Sequence, residues 1–242
     1  MNFRPFPAAL ALALLLASPA GAGELRQRPT AVLELFTSQG CSSCPAADAL
    51  LTELGSRDEI IALAYHVDYW DYVGWPDTFG AKAHSDHQRN YAASWGSSRI
   101  FTPQLVVNGT EAVVGSRRQE VDIAVQNASL SVPVALSEGG GMLKVSIGPR
   151  PGLRAAVVWL VTYIERADVD IERGENRGKR LAYTQIVTGR QVLGMWEPAT
   201  GATLTLPLAE VLDDGATGAA ILVQEERRGL PGRILGAASY QR

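Results

Sequence analysis

Cys41 and Cys44 are the only cysteines in a chain of 242 residues, and they separate two apolar runs of different period. Residues 30–36 read as a buried strand, and residues 44–54 carry apolar side chains at helical spacing. The pair therefore falls where a strand hands over to a helix N-terminus. Unpaired first-turn N–H groups and the positive end of the helix dipole favour a thiolate there. Cysteines so placed have pKa values of roughly 3.5 to 7.5 in place of about 8.5. A bridge over two intervening residues closes too short a loop to restrain an unfolded chain much. The spacing points to redox or metal chemistry rather than to a staple.

Residues 1–22 contain Arg4 as their only charge, then an apolar stretch over 8–17, then small residues up to Ala22. This is the pattern of a secretory signal peptide, with cleavage expected near Ala20 or Ala22. The apolar stretch is too short to span a bilayer, and no later segment approaches the roughly 20 apolar residues required, so no membrane span is expected in the mature chain. A periplasmic or secreted location follows, and an oxidising compartment lets the cysteine pair rest as a disulfide. The net charge is −3. That balance gives no sign of a nucleic-acid partner.

Two domains are expected after the signal segment. Over residues 28–130 strand and helix signals alternate: strands at 30–36 and 59–67, a polar helix over 78–95, then strands at 104–107 and 112–114 joined through Asn108 and Gly109, a strong hairpin turn. Ser116 is positioned to cap a last helix running to about 128. The order is β-α-β-α-β-β-α. Residues 131–242 read instead as a small all-β antiparallel sheet or sandwich, with strands at 132–136, 142–147, 155–164, 180–187 and 219–224 and a short helix near 206–212. Arg173, Arg177, Lys179 and Arg180 cluster with Glu172 and Glu175 on a hairpin tip, which reads as a solvated turn.

Pro103 opens the strand before the hairpin, a position where proline is often cis. A CxxC at the first helix, this element order and an X-Pro before a β-hairpin together resemble the thioredoxin fold. More closely, the segments LELFTSQGCSSCP (33–45), HVDYWD (66–71) and FTPQLVVNG (101–109) are similar to a family of secreted bacterial proteins known as domain of unknown function 1223. The resemblance implies a thioredoxin-like domain and no settled activity.

Likeness to thioredoxins would make Cys41 the exposed nucleophile, Cys44 the buried resolving thiol and Thr102-Pro103 a cis pair beside them. The implied activity is thiol–disulfide exchange on protein thiols or disulfides, with a separate redox partner and no cofactor beyond the Cys41–Cys44 disulfide. Glu34 is the one charge in its apolar strand, which costs several kcal/mol if buried unpaired. It matches the acid that relays a proton to the resolving thiol, or else lies at an exposed strand edge. Gly40 stands where thioredoxins carry a tryptophan, and Trp70, Trp75 and Trp95 are candidates to rebuild that platform or are simply packed. The acid-rich aromatic loop containing Trp70, Asp71 and Trp75 suits a substrate groove or a packed cap.

The alternative chemistry is metal binding. His84 and His87 are i, i+3 on one helix face, and His66 ends the second strand. Cys41 and Cys44 with these imidazoles suit zinc or copper. A third alternative is a redox-inactive interaction domain that binds through its β segment.

Overall fold

The computed structural model describes residues 23–213 and 215–242. The signal segment expected over 1–22 lies outside them. Among the described residues twelve strands and four helices form a mixed α/β structure with a nine-stranded mixed sheet and a separate three-stranded antiparallel sheet.

The half of the large sheet that carries the cysteines is built from β2 (Ala31–Thr37), α1 (Pro45–Gly55), β3 (Ile60–His66), α2 (Lys82–Ser94), β4 (Gln104–Val107), β5 (Glu111–Val114) and α3 (Arg118–Gln126). β2 and β3 run parallel, β4 is antiparallel to β2, and the β4–β5 hairpin turns through Asn108 and Gly109, both with positive φ. Every residue of β2 and β3 is buried, as expected of central strands covered on both faces. Alternation sorts their side chains. Leu33, Leu35, Ile60, Ala62 and Ala64 pack with Leu50, Leu51 and Leu54 of α1 and with α3, whereas Val32, Phe36, Ile61, Leu63 and Tyr65 face Tyr91 of α2 on the opposite side.

The later strands do not stand apart from this sheet. β8 (Ala156–Asp170) and β9 (Arg180–Trp196) form one long hairpin, and β9 joins β3 in parallel at Ala64 and Ile186. β11 (Gly218–Arg227), β12 (Leu230–Gln241) and β1 (Glu24–Arg26) extend the sheet beyond β8. β6 (Val134–Gly139), β7 (Met142–Ile147) and β10 (Ala202–Pro207) make the small sheet, which packs on β8, β11 and β12 around Trp196. A short helix, α4 (Leu208–Val211), follows β10.

Three boundaries differ from the sequence reading. α2 starts at Lys82, not at 78, because Asp77 binds the N–H of Phe79 through its carboxylate and that of Gly80 through its carbonyl, holding a tight turn ahead of the helix. α3 begins after Arg117 without a side-chain cap, so Ser116 does not cap it. β8 runs past Ile164 to Asp170, paired with residues 180–184 of β9 as a largely exposed two-stranded ribbon, and β9 runs past Val187 along the start of β8 to the buried Trp196.

Candidate functional site

Cys44 is the N-cap of α1 and Pro45 occupies the first turn, where a missing N–H costs little. Cys41 and Cys44 are joined as a disulfide with Cα atoms 5.4 Å apart, within the usual range. The turn closes through Cys41 N–H to Ser38 O (3.1 Å) and Cys44 N–H to Cys41 O (3.2 Å). Ser42 and Ser43 are exposed, but Cys41 is 0% accessible, as is Cys44. The expectation of an exposed Cys41 is therefore corrected.

Against the backbone of the cysteine turn lies the tip of the β8–β9 hairpin, which the sequence reading left in solvent. Asn176, itself 0% accessible, donates through Nδ2 to Gln39 O (2.9 Å) and Cys41 O (3.0 Å). The Glu175 carboxylate accepts the Ser42 N–H at 3.2 Å, and the Ser42 side-chain hydroxyl first and this N–H second lower its pKa. Gly174 has φ 75°, and a Cβ there would sit 3.2 Å from Trp75 Cβ, so glycine suits both the turn and the contact.

The loop after β3 forms the neighbouring wall. Trp70 donates through Nε1 to Thr102 Oγ1 at 2.7 Å, and Thr102-Pro103 is a cis peptide. A Cβ on Gly40 would lie 3.1 Å from Val73 and 3.2 Å from Trp70, so the absent side chain leaves room for this loop. Trp70 thus touches both the residue before Cys41 and the residue before Pro103. Trp75 donates to Gln39 Oε1 at 2.8 Å. Asp71, at the start of the short 3-10 turn Asp71–Val73, accepts the Asp77 N–H. Trp95 lies elsewhere, stacked on Tyr91 with ring centroids 5.4 Å apart. Gln39, missed in the sequence, is a buried hub: its N–H donates to Asp77 at 2.7 Å and its amide group to Thr78 at 2.8 Å.

On the α1 face of the sheet is a cluster of buried polar side chains. His66 Nδ1 lies 3.0 and 2.8 Å from the two oxygens of Asp77. The Asp48 carboxylate, Thr37 Oγ1, His66 Nε2 and Tyr183 OH are all buried here, and among the described residues Asp48 has the Thr37 hydroxyl as its one hydrogen-bonding neighbour. Burial pushes Asp48 up to about 7, against the opposing pull of His66 and Thr37. Burial acts upward on Asp77 as well, but His66 and the N–H groups of Gln39 and Phe79 outweigh it and hold that carboxyl below its ordinary value. Burial also raises the Tyr183 phenol, with Asp48 and Asp77 adding to the effect. Asp48 was not singled out in the sequence, although its spacing of four from Cys44 puts both on one side of a helix.

Glu34 is fully buried but on the other face of the sheet. It accepts from His87 Nε2 at 3.0 Å and from the Tyr91 hydroxyl. Burial raises its pKa, yet these donors and the nearby Arg190 prevail, and the net shift is downward. The exposed-edge alternative does not hold.

The three histidines do not converge. His66 serves Asp77, His87 serves Glu34, and His84 Nδ1 bonds the His66 carbonyl at 2.9 Å. His84 and His87 are buried rather than solvated, and burial lowers both pKa values. Among the described residues no three His, Cys, Asp or Glu side chains are grouped as metal ligands.

A crystal structure of a protein from Agrobacterium tumefaciens is similar to this chain, with a TM-score of 0.79 and 31% identity, over 89% of this chain and 95% of that one. No curated protein matches the chain. The family model described as a protein of unknown function, DUF1223, matches residues 32–224, and the chain belongs to that family.

Proposed function

We propose that this is an exported thiol–disulfide exchange protein whose N-terminal half is a variant of the thioredoxin fold and whose working bond is Cys41–Cys44. The observation that carries the reading is the disulfide at the N-cap of α1 with a buried acid, Asp48, one helical turn further on. The element order, the CxxC and the cis Thr102-Pro103 support the fold assignment. The pattern of residues 1–22 supports export, and no helix among the described residues is long and apolar enough to cross a membrane.

In the oxidising direction a substrate thiolate attacks Cys41 Sγ. The S–S bond breaks and its electron pair leaves on Cys44 Sγ. The substrate's second thiolate then attacks its own sulfur in the mixed disulfide, releasing Cys41 as a thiolate. In the reducing direction Cys41 thiolate attacks a substrate disulfide, one substrate sulfur leaving as a thiolate, and Cys44 thiolate then attacks Cys41 Sγ, re-forming the Cys41–Cys44 bond and releasing the second substrate sulfur as a thiolate. The helix N-terminus stabilises the thiolate formed at Cys44. Asp48, held near neutrality, is the group suited to supply or accept the Cys44 proton.

The test is a redox titration of the mature protein against reduced and oxidised glutathione with thiol trapping. A single two-electron transition, and a mixed disulfide trapped at Cys41 in the Cys44→Ser variant, are expected. Thiols that do not cycle, with no adduct on that variant, would sink the reading.

A further inference from the structure

We propose that the hairpin tip between β8 and β9, residues 171–179, is a displaceable cap over Cys41, and that the extended polypeptide of an exchange partner takes its place. This rests on the exchange reading for the identity of the partner, but not for the cap itself.

A thiolate must approach Cys41 Sγ along the axis of the S–S bond, and a residue with 0% accessibility offers no such path. The obstruction is local. Asn176 is a buried plug between the exposed residues Glu175 and Arg177, and it binds the carbonyls of Gln39 and Cys41. Lys179 Nζ holds its other amide atom, Oδ1, at 2.9 Å, which aims the NH₂ group at the two carbonyls. Glu175 completes the closure at the Ser42 N–H.

The contacts to Gln39 O, Cys41 O and the Ser42 N–H are side chain to backbone, and all come from one short segment. An amide NH₂ and a carboxylate oxygen are standing in for the N–H and C=O groups of a neighbouring peptide. When the tip lifts, Gln39 O and Cys41 O are freed together beside the disulfide, an acceptor pair two residues apart that the backbone N–H groups of an extended chain can fill, and the Ser42 N–H is released as well. The tip is also built to leave. Its only buried residues are Ile171 and Asn176, and positive-φ glycines at 174 and 178 bracket the plug. The root stays closed through Ile171 N–H to Lys179 O (2.9 Å) and Gly178 N–H to Ile171 O (2.7 Å). Arg173, Arg177 and Glu172 stand in water and keep the tip solvated. In the closed form the Glu175 charge also faces an incoming thiolate and occupies an N–H close to the helix N-terminus.

The experiment measures reduction of the oxidised protein by dithiothreitol in native buffer, for the wild type, Glu175→Ala and Asn176→Ala. One dithiothreitol thiolate attacks Cys41 Sγ and Cys44 leaves as a thiolate; the second dithiothreitol thiolate then attacks the dithiothreitol sulfur of the mixed disulfide, closing the cyclic disulfide and releasing Cys41 as a thiolate. Loss of one hydrogen bond should raise the rate roughly threefold in Glu175→Ala, and loss of two should raise it roughly tenfold in Asn176→Ala. Glu175 is exposed, so its variant keeps the fold, which the thermal midpoint verifies. Should Asn176→Ala fail to fold, hydrogen exchange at the Ser42 amide decides in its place: protection in the wild type that falls in Glu175→Ala supports the cap. Unchanged reduction rates in folded variants, or a Ser42 amide as fast as in an unfolded peptide, overturn it. Dithiothreitol needs no natural partner. A protein that shows these rate rises yet never forms mixed disulfides with protein thiols keeps the cap and loses the exchange function.

Discussion

His66 and Asp77 form a wholly buried pair, 2.8 Å apart at the closest oxygen, and the same carboxylate takes the N–H groups of Gln39 and Phe79. One side chain therefore ties the end of β3 to the loop entering the cysteine turn and to the turn that delays α2. Asp77→Ala leaves a buried imidazole and two N–H groups unpaired, a loss of about 3 to 5 kcal/mol. Urea unfolding should show this as a lower midpoint with an unchanged slope. A loss under about 1 kcal/mol would mean that the loop is held by other contacts.

Asp48 sets a pH dependence of opposite sign to that of a salt-bridged acid. Its pKa is raised from 3.8 to about 7 in the folded state, so between those values the native protein binds more protons than the unfolded chain. Stability from this group is full below pH about 4 and declines as pH rises to about 7, by at most about 4 kcal/mol. Asp48→Asn removes that decline. The variant should therefore gain thermal stability relative to wild type at pH 8 and not at pH 4. Equal differences at both values would show that Asp48 is ionised at neutral pH.

The packing of Trp70 predicts a coupling across the site. Trp70→Phe and Thr102→Val each break the 2.7 Å indole–hydroxyl bond while keeping apolar bulk. A double-mutant cycle on unfolding should give a coupling of about 1 kcal/mol. Coupling near zero would place the Trp70 contribution in its contacts with Gly40 and Tyr72 alone.

Much of this arrangement was legible because it is local. The all-apolar β2 and β3, the turn at Asn108-Gly109, and proline at the start of α1 each carry their signal within a few residues. The cover over Cys41 was not legible, because Asn176 bonds a carbonyl 135 residues earlier in the chain. A charged hairpin tip looks solvated until the ribbon beneath it places it. β12 was missed because its run buried on both faces includes the small residues Gly236, Ala237 and Ala238, which give little hydrophobic contrast. The polar face of α2 misled for a related reason. His84, Ser85, His87 and Gln88 are buried against polar partners, among them Glu34 and Gln104, and a pattern of hydropathy reads buried polar pairs as surface.

The two buried acids on opposite faces of the sheet can be told apart by one pair of variants. Glu34 stabilises as a carboxylate, since His87, Tyr91 and Arg190 outweigh its burial and lower its pKa below 4.5. That stability is present above pH about 4.5 and is lost as pH falls through the lower folded value. Glu34→Gln should therefore be less stable than wild type at pH 7, with the gap narrowing in acid, the reverse of the trend for Asp48→Asn. The strand places Glu34 on the α2 face, away from the side where α1 carries Cys44. The pH profile of Cys44 alkylation in the reduced protein should accordingly move in Asp48→Asn and stay put in Glu34→Gln. A profile that moves with Glu34 and not with Asp48 would return the proton-handling role to the strand.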